Sequence, residues 1–324
     1  MKTIHPESAV KQRYAAAAMT PEAALCCAVD YNRQYLKIIP EEVVQKDYGC
    51  GDPSRYLKPA ETVLDLGSGA GKICFIAAQI VGPQGKVIGI DMTDEMLAVA
   101  RRNAPIVAGR LGYANVEFRK GRIQDLALDL EKLDQELKQR PIADSASFLA
   151  AEELAQELRL RDPLVASGSV DVVVSNCVLN LVETKSKRQL FEEIFRVLKK
   201  GGRAVISDIV SDEAVPERLQ NDPQLWSGCI SGALTEEGFL QAFADAGFYG
   251  MQILKRDDQP WRTVDGIEFR SVTIAAYKGE QGLVPPEQAS PFDSSGAGLR
   301  PPPETKGRNY NATQAGPCCD GGCS

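Results

Sequence analysis

Histidine is almost missing: His5 is the single imidazole in 324 residues. That argues against imidazole general-base catalysis and against zinc sites that mix cysteine with histidine. Excess positive charge is missing too. With 37 basic and 44 acidic side chains the chain carries a net charge of −7. Nucleic-acid binding is dominated by phosphate neutralisation, so no nucleic-acid partner is expected. No apolar run approaches the roughly 18 residues of a membrane span, so no membrane partner is expected either. The alanine run Ala15–Ala18 follows Glu7, Lys11 and Arg13 and leads into no long apolar region. It reads as no secretory signal, and the chain as cytoplasmic.

What is present is a hydrophobic content of 44%, enough to bury a core, in a length that suits one large or two modest domains. Nine cysteines accompany the lone histidine. Without a signal sequence they read as free thiols rather than disulfides.

Residues 62–74 read T-V-L-D-L-G-S-G-A-G-K-I-C. Val63, Leu64 and Leu66 around Asp65 have strand character. Gly67, Gly69 and Gly71 follow, and then the helical pattern Ile73, Phe75, Ile76, Ala77, Ile80. Strand, glycine turn and helix together form a nucleotide-cofactor signature. Glycines let a ligand approach the backbone, and the helix start offers unpaired N–H groups. Lys72 occupies the place of the third glycine of a dinucleotide fingerprint, and a second strand ends at Asp91, twenty residues past Gly71. A carboxylate there can accept hydrogen bonds from both ribose hydroxyls. The pattern resembles the first motif and acidic loop of class I S-adenosylmethionine (SAM) methyltransferases.

Alternation continues with strands expected at 86–91, 115–118, 170–175, 203–209, 249–255 and 267–277. Helices are expected at 8–18, 21–29, 71–80, from Thr93 onward, at 186–199 and from Thr235 to Ala246. Pro105 is expected to bend or end the helix after Thr93, and Gly201–Gly202 to stop the helix at 186–199. Strands alternating with helices imply an α/β fold: a class I (Rossmann-like), mainly parallel seven-stranded sheet whose last two strands form a hairpin. The chain divides into an N-terminal helical extension at 1–60 carrying the Cys50 loop and a SAM-binding domain at 61–210, with a helical insert at 126–165. A C-terminal part at 211–279 completes the sheet and binds substrate. A Pro-, Gly- and Ser-rich tail at 280–324 is expected to be disordered.

In such a sheet, ligands lie beyond the C-terminal strand ends. Cys74 is expected in the first turn after one strand, where the helix dipole would favour its thiolate. Cys177 directly follows the strand at 170–175, Cys229 lies in the glycine-flanked W-S-G-C-I-S-G loop, and Cys50 comes from the N-terminal loop D-Y-G-C-G-D-P. Any one of them could be a small buried hydrophobe; three near strand ends suggest a converging set. Soft sulfur selects soft acceptors. Zinc offers no nucleophile to a methyl group, whereas trivalent arsenic takes three sulfurs and keeps a lone pair. No proton need be removed from that nucleophile, in keeping with the scarcity of histidine.

The motifs Y-G-C-G (48–51), D-L-G-S-G-A-G-K-I-C (65–74), S-N-C-V-L-N-L (175–181) and S-G-C-I (227–230) resemble those of the arsenite SAM methyltransferases over roughly residues 45–278. The resemblance implies SAM-dependent arsenite methylation for detoxification, acting on arsenite or its glutathione conjugate. It implies Cys177 and Cys229 as principal arsenic ligands, Cys74 as the third, and a Cys50–Cys74 disulfide that returns electrons, reset by thioredoxin or glutathione. It also implies cofactor contacts at Asp65, Gly67, Ser68, Gly69, Asp91, Met92, Ile123 and Asn176. The insert at 126–165, the pair Cys26–Cys27 and the Cys318, Cys319, Cys323 cluster depart from the pattern. The last of these could capture arsenite and hand it inward, or be incidental. Two other readings share parts of the pattern: a quinone- or sterol-type C- or O-methyltransferase, and a non-catalytic arsenite-binding protein.

Overall fold

The computed structural model describes residues 6–20, 22, 29–46 and 48–279. Of the helix expected at 21–29 only residues 22 and 29 are described, neither of them helical; Cys26–Cys27, and the tail with Cys318, Cys319 and Cys323, lie outside the described residues.

Among the described residues, α1 (Pro6–Met19) and the short α2 (Arg33–Leu36) and α3 (Glu41–Gln45) precede the sheet. Then β1 (Thr62–Leu66), α4 (Lys72–Val81), β2 (Lys86–Asp91), α5 (Asp94–Leu111) and β3 (Val116–Lys120) alternate. Helices α6 (Leu130–Gln139) and α7 (Ser145–Arg161) interrupt the rhythm before β4 (Val170–Asn176), α8 (Thr184–Val197) and β5 (Leu198–Ser211). Short α9 (Glu217–Gln220), α10 (Pro223–Ser227) and β6 (Leu234–Thr235) lead to α11 (Glu236–Asp245), β7 (Tyr249–Arg256), β8 (Arg262–Val264) and β9 (Ile267–Tyr277).

Among the described residues the sheet runs β3-β2-β1-β4-β5-β9-β7, with β6 pairing on β5 and β8 on β9. Strands β3 to β5 are parallel, and β9 enters antiparallel between β5 and β7. Strand order reverses between β1 and β4, so their C-terminal ends frame a crevice. Apolar side chains of β1 and β4 point alternately to two cores, as strands covered on both faces require. Val63, Val172 and Val174 meet α4 and α5 on one side; Leu64, Leu66, Val170 and Val173 meet α8 and α11 on the other. A third core gathers Cys50, Cys177, Cys229, Trp226, Ile230 and Phe269.

Two expectations are corrected. Helix α5 does not end at Pro105 but continues to Leu111. Met96, Leu97, Val99, Ala100 and Val107 bury its inner face, while Pro105 sits on the exposed face, so the carbonyl it leaves unpaired can reach water. Strand β5 begins at Leu198, before the glycine pair, because Leu198 pairs with Val170 and the strand resumes at Arg203 opposite Val172 after a bulge.

The insert is a helical hairpin closed at its base. The N–H groups of Leu164 and Val165 donate to the carbonyls of Ala127 and Leu126 at 3.0 and 2.9 Å, and Arg159 pairs with Asp125 at 2.9 Å.

Candidate active site

The turn after β1 is built from its backbone outward. Gly67 N–H and Ser68 N–H both donate to Ile90 O, at 2.8 and 2.9 Å, which ties the turn to the end of β2. There Asp91 accepts Gly69 N–H at 2.9 Å and Thr93 N–H at 2.8 Å through its two oxygens. Burial raises the Asp91 carboxyl above the ordinary range, and the N–H groups of Thr93 and Gly69 oppose that shift. Gly69 is left-handed at φ +52°, and a Cβ there would project into open space. A substrate can therefore lie directly on this backbone. Ser68 Oγ is buried without a hydrogen-bond partner. A cavity of about 440 Å³ opens above the turn, within the roughly 300–1,000 Å³ of small-molecule sites. All eight residues expected to contact the cofactor line it. An orphaned hydroxyl, a bare glycine backbone and a strand-end carboxylate with spare lone pairs fit an adenosine-bearing cofactor.

Cys177 closes the far wall of the cavity. It directly follows β4, its N–H donating to Ser207 O at 2.7 Å, and its φ is +62°. Cys229, after α10, has the same φ of +62°, and its thiol donates to Cys177 O at 3.1 Å. Non-glycine residues in this region cost energy, and a rigid surround must hold them there. Cys50 completes the group. Asn176 Oδ1 accepts Cys50 N–H at 2.9 Å and Gly51 N–H at 3.0 Å, and its Nδ2 donates to Gly51 O at 2.7 Å and Tyr31 OH at 3.0 Å. Ser271 Oγ donates to Cys50 O at 2.7 Å. The loop fits this closely only because residue 49 is glycine: a Cβ there would lie 2.0 Å from Asn176 Nδ2. Asn176, expected against the cofactor, touches the cavity but spends its polar atoms on the Cys50 loop.

All four described cysteines are buried free thiols. Contact with Cys229, then with Cys50, and then burial push the Cys177 thiol well above the usual range. Burial does the same, to a lesser degree, for Cys50. Cys177 and Cys50 are thus protonated at neutral pH.

Cys74 departs from expectation. It is wholly buried in the core between α4 and the sheet, away from the cavity lining, and donates to Asp65 Oδ2 at 3.2 Å. The anticipated thiolate stabilisation by the helix dipole is outweighed: burial first, then the Asp65 charge, drive its pKa well above the ordinary value. Cys50, not Cys74, stands beside Cys177 in this arrangement.

Three side chains escaped the sequence reading. Asp208, near the C-terminal end of β5, accepts the N–H groups of Leu179 (2.9 Å), Asn180 (3.3 Å) and Ile209 (2.8 Å), and lies against Cys50 and Cys177. Burial raises its carboxyl to about 6. Lys187 is buried with its Nζ donating to Leu179 O at 2.9 Å, and burial lowers its pKa to about 8. Tyr14 reaches in from α1; burial, then the neighbouring Cys229 and Cys177, lift its phenol well above the usual value. Two of the three carried a signal. Asp208 is a lone carboxylate inside the apolar run 204–210, and Lys187 shares the helical face of Leu190, Phe191 and Ile194.

A parallel sheet with an antiparallel β9, and a glycine turn latched to the acidic end of β2, define a class I SAM-dependent methyltransferase. The family described as "Methyltransferase domain" matches residues 57–247. Within that class the chain belongs to the arsenite methyltransferases. It is 35% identical over 276 residues to the arsenite methyltransferase of Aquipseudomonas alcaligenes, covering 82% of this chain and 68% of that one. It is 39% identical over 212 residues to that of Halobacterium salinarum, covering 65% of this chain but only 43% of the relative. The arsenic(III) SAM methyltransferase of Chlamydomonas reinhardtii superposes with a TM-score of 0.60 at 29% identity, over 81% of this chain and 75% of that one. The chain thus spans from under half to about two thirds of the length of these two curated relatives.

Proposed function

We propose that this protein methylates trivalent arsenic held by its own cysteines. The observation that carries the reading is a buried thiol cluster that meets the cofactor cavity at Cys177. SAM, when bound, supplies an electrophilic methyl group on a sulfonium. The chain's part is positional. Asp91 and the turn at 67–71 orient the adenosine, and Cys177 and Cys229 fix the acceptor against it. The contact of Cys50 with Cys177 supports Cys50 in the third place that the resemblance gives to Cys74.

Substrate capture needs no external base. Each As–OH group exchanges with one protonated thiol, forming an As–S bond and releasing water; each As–S bond of a glutathione conjugate exchanges likewise and releases glutathione, so the protonated thiols of Cys50 and Cys177 suit either substrate. Methyl transfer uses the arsenic lone pair, so it is catalysed chiefly by proximity and orientation. It oxidises arsenic formally by two electrons. Two thiols closing to a disulfide return both electrons. The resemblance pairs Cys50 with Cys74 for that step, which requires the 48–52 loop to leave Cys177. Thioredoxin or glutathione then reduces the disulfide by thiol exchange. Thiols kept reduced suit the cytosol, and among the described residues no helix is long and apolar enough to cross a membrane.

The test is substitution of Cys177 or Cys229 by Ser in the full chain. Arsenite-dependent methyl transfer should fall by roughly a hundredfold or more, about 3 kcal/mol of lost positioning, while SAM affinity stays within about twofold. Full activity in either variant overturns the reading.

A further inference from the structure

The sulfur atoms of Cys50 and Cys177 and one carboxylate oxygen of Asp208 all lie within 4.8 Å of one another, and all three residues are buried. This spacing approaches what one metal ion demands. With bonds of about 2.3 Å to sulfur and about 2.0–2.2 Å to oxygen, tetrahedral donors stand roughly 3.5–4 Å apart. The three donors come from separate elements, and each is anchored independently. Asn176 and Ser271 hold the Cys50 backbone, and Ser207 O holds that of Cys177. Three backbone N–H groups hold the Asp208 carboxylate. Oxygen beside two sulfurs is not the all-sulfur set that trivalent arsenic prefers; it is a donor set for a borderline divalent ion.

We propose that Cys50, Cys177 and Asp208 form a binding site for a thiophilic divalent cation, zinc or cadmium, with Cys229 or a solvent molecule in the fourth position. Both thiols release their protons to solvent as the ion enters. Two of the donors are those assigned above to arsenic, so the ion and arsenite exclude each other. The cation site stands without the arsenic reading; only the exclusion rests on it.

The experiment is equilibrium titration of the reduced full chain with Zn²⁺ against a chromophoric chelator. Thiols outside the described residues are available to zinc as well, so the difference between variants is the readout. Cys177→Ser should lose one tight equivalent relative to the unmodified chain. Asp208→Asn should keep that equivalent with its affinity reduced at least roughly tenfold, as loss of a ligand charge demands. A measurement on the unmodified chain guards against misfolded variants: Zn²⁺ should protect Cys50 and Cys177 together from alkylation, read by mass spectrometry. An unchanged number of equivalents in Cys177→Ser, undiminished affinity in Asp208→Asn, or equal alkylation of the two cysteines with and without zinc overturns the site. Zinc that meets all three expectations yet is not displaced by arsenite upholds the cation site and counts against the arsenic ligand set.

Discussion

At the scale of single residues, Asn176 does more than any one thiol to assemble the cluster, since its amide is saturated by the Cys50 loop and by Tyr31. Asn176→Ala leaves the buried N–H groups of Cys50 and Gly51 unpaired and Gly51 O with only Tyr31 OH, at 3.3 Å. Stability should fall by roughly 3 kcal/mol, measured by urea denaturation, and turnover with arsenite should fall at least tenfold as Cys50 loses its place. A stability loss below about 1 kcal/mol would show the clamp to be incidental. The four cysteine motifs were legible because each sits at an element boundary that glycine or strand pattern marks. Which thiol joins which was not. Cys74 lies one turn into α4, and its sulfur direction depends on the sheet face that α4 covers, which only the packed fold decides. The left-handed backbone of Cys177 and Cys229 was equally hidden, because nothing in the residue type favours it.

Among the elements, α1 links the two halves of the site. Glu7 pairs with Arg122 at 3.0 Å on the cofactor side, while Arg13 donates to Gln224 O at 3.1 Å and Ser227 Oγ at 3.0 Å beside the Cys229 loop, and pairs with Glu22. Arg13→Ala should loosen that loop. Arsenite affinity, followed by Trp226 fluorescence, should drop roughly tenfold, with SAM affinity within about twofold and stability lower by about 1 kcal/mol. Equal losses in both affinities would make α1 a general brace rather than a support of the thiol loop. Strands β1, β2 and β4 could be read from sequence because buried parallel strands are continuous apolar runs. The early start of β5 could not: Lys199, Lys200 and the two glycines carry no strand signal, and the pairing of Leu198 with Val170 and of Arg203 with Val172 on either side carries the strand across them.

For the molecule as a whole, buried charge sets the pH response. Lys187 has a folded pKa of about 8 against 10.5 unfolded. A depressed amine contributes stability that is present above 10.5 and lost as pH falls through 8, so at pH 7 its burial costs about 3 kcal/mol by linkage. Asp208, raised to about 6 from 3.8, acts in the opposite sense: its contribution is present below 3.8 and lost as pH rises through 6. Both penalties are in force between about 6 and 8. Lys187→Met should therefore stabilise the fold at pH 7 by on the order of 1–3 kcal/mol. The gain should shrink as pH rises from 8 towards 10.5, checked by denaturation at each pH. A gain that does not change with pH would place the effect in packing alone. The seclusion of Cys74 has a consequence for life under peroxide. Oxidants attack ionised, reachable sulfur, and this one is neither. Outside turnover, with the 48–52 loop seated against Cys177, folded molecules should carry a reduced Cys74 through an oxidative burst, leaving any sulfenate to form on other sulfurs, where small thiols can repair it.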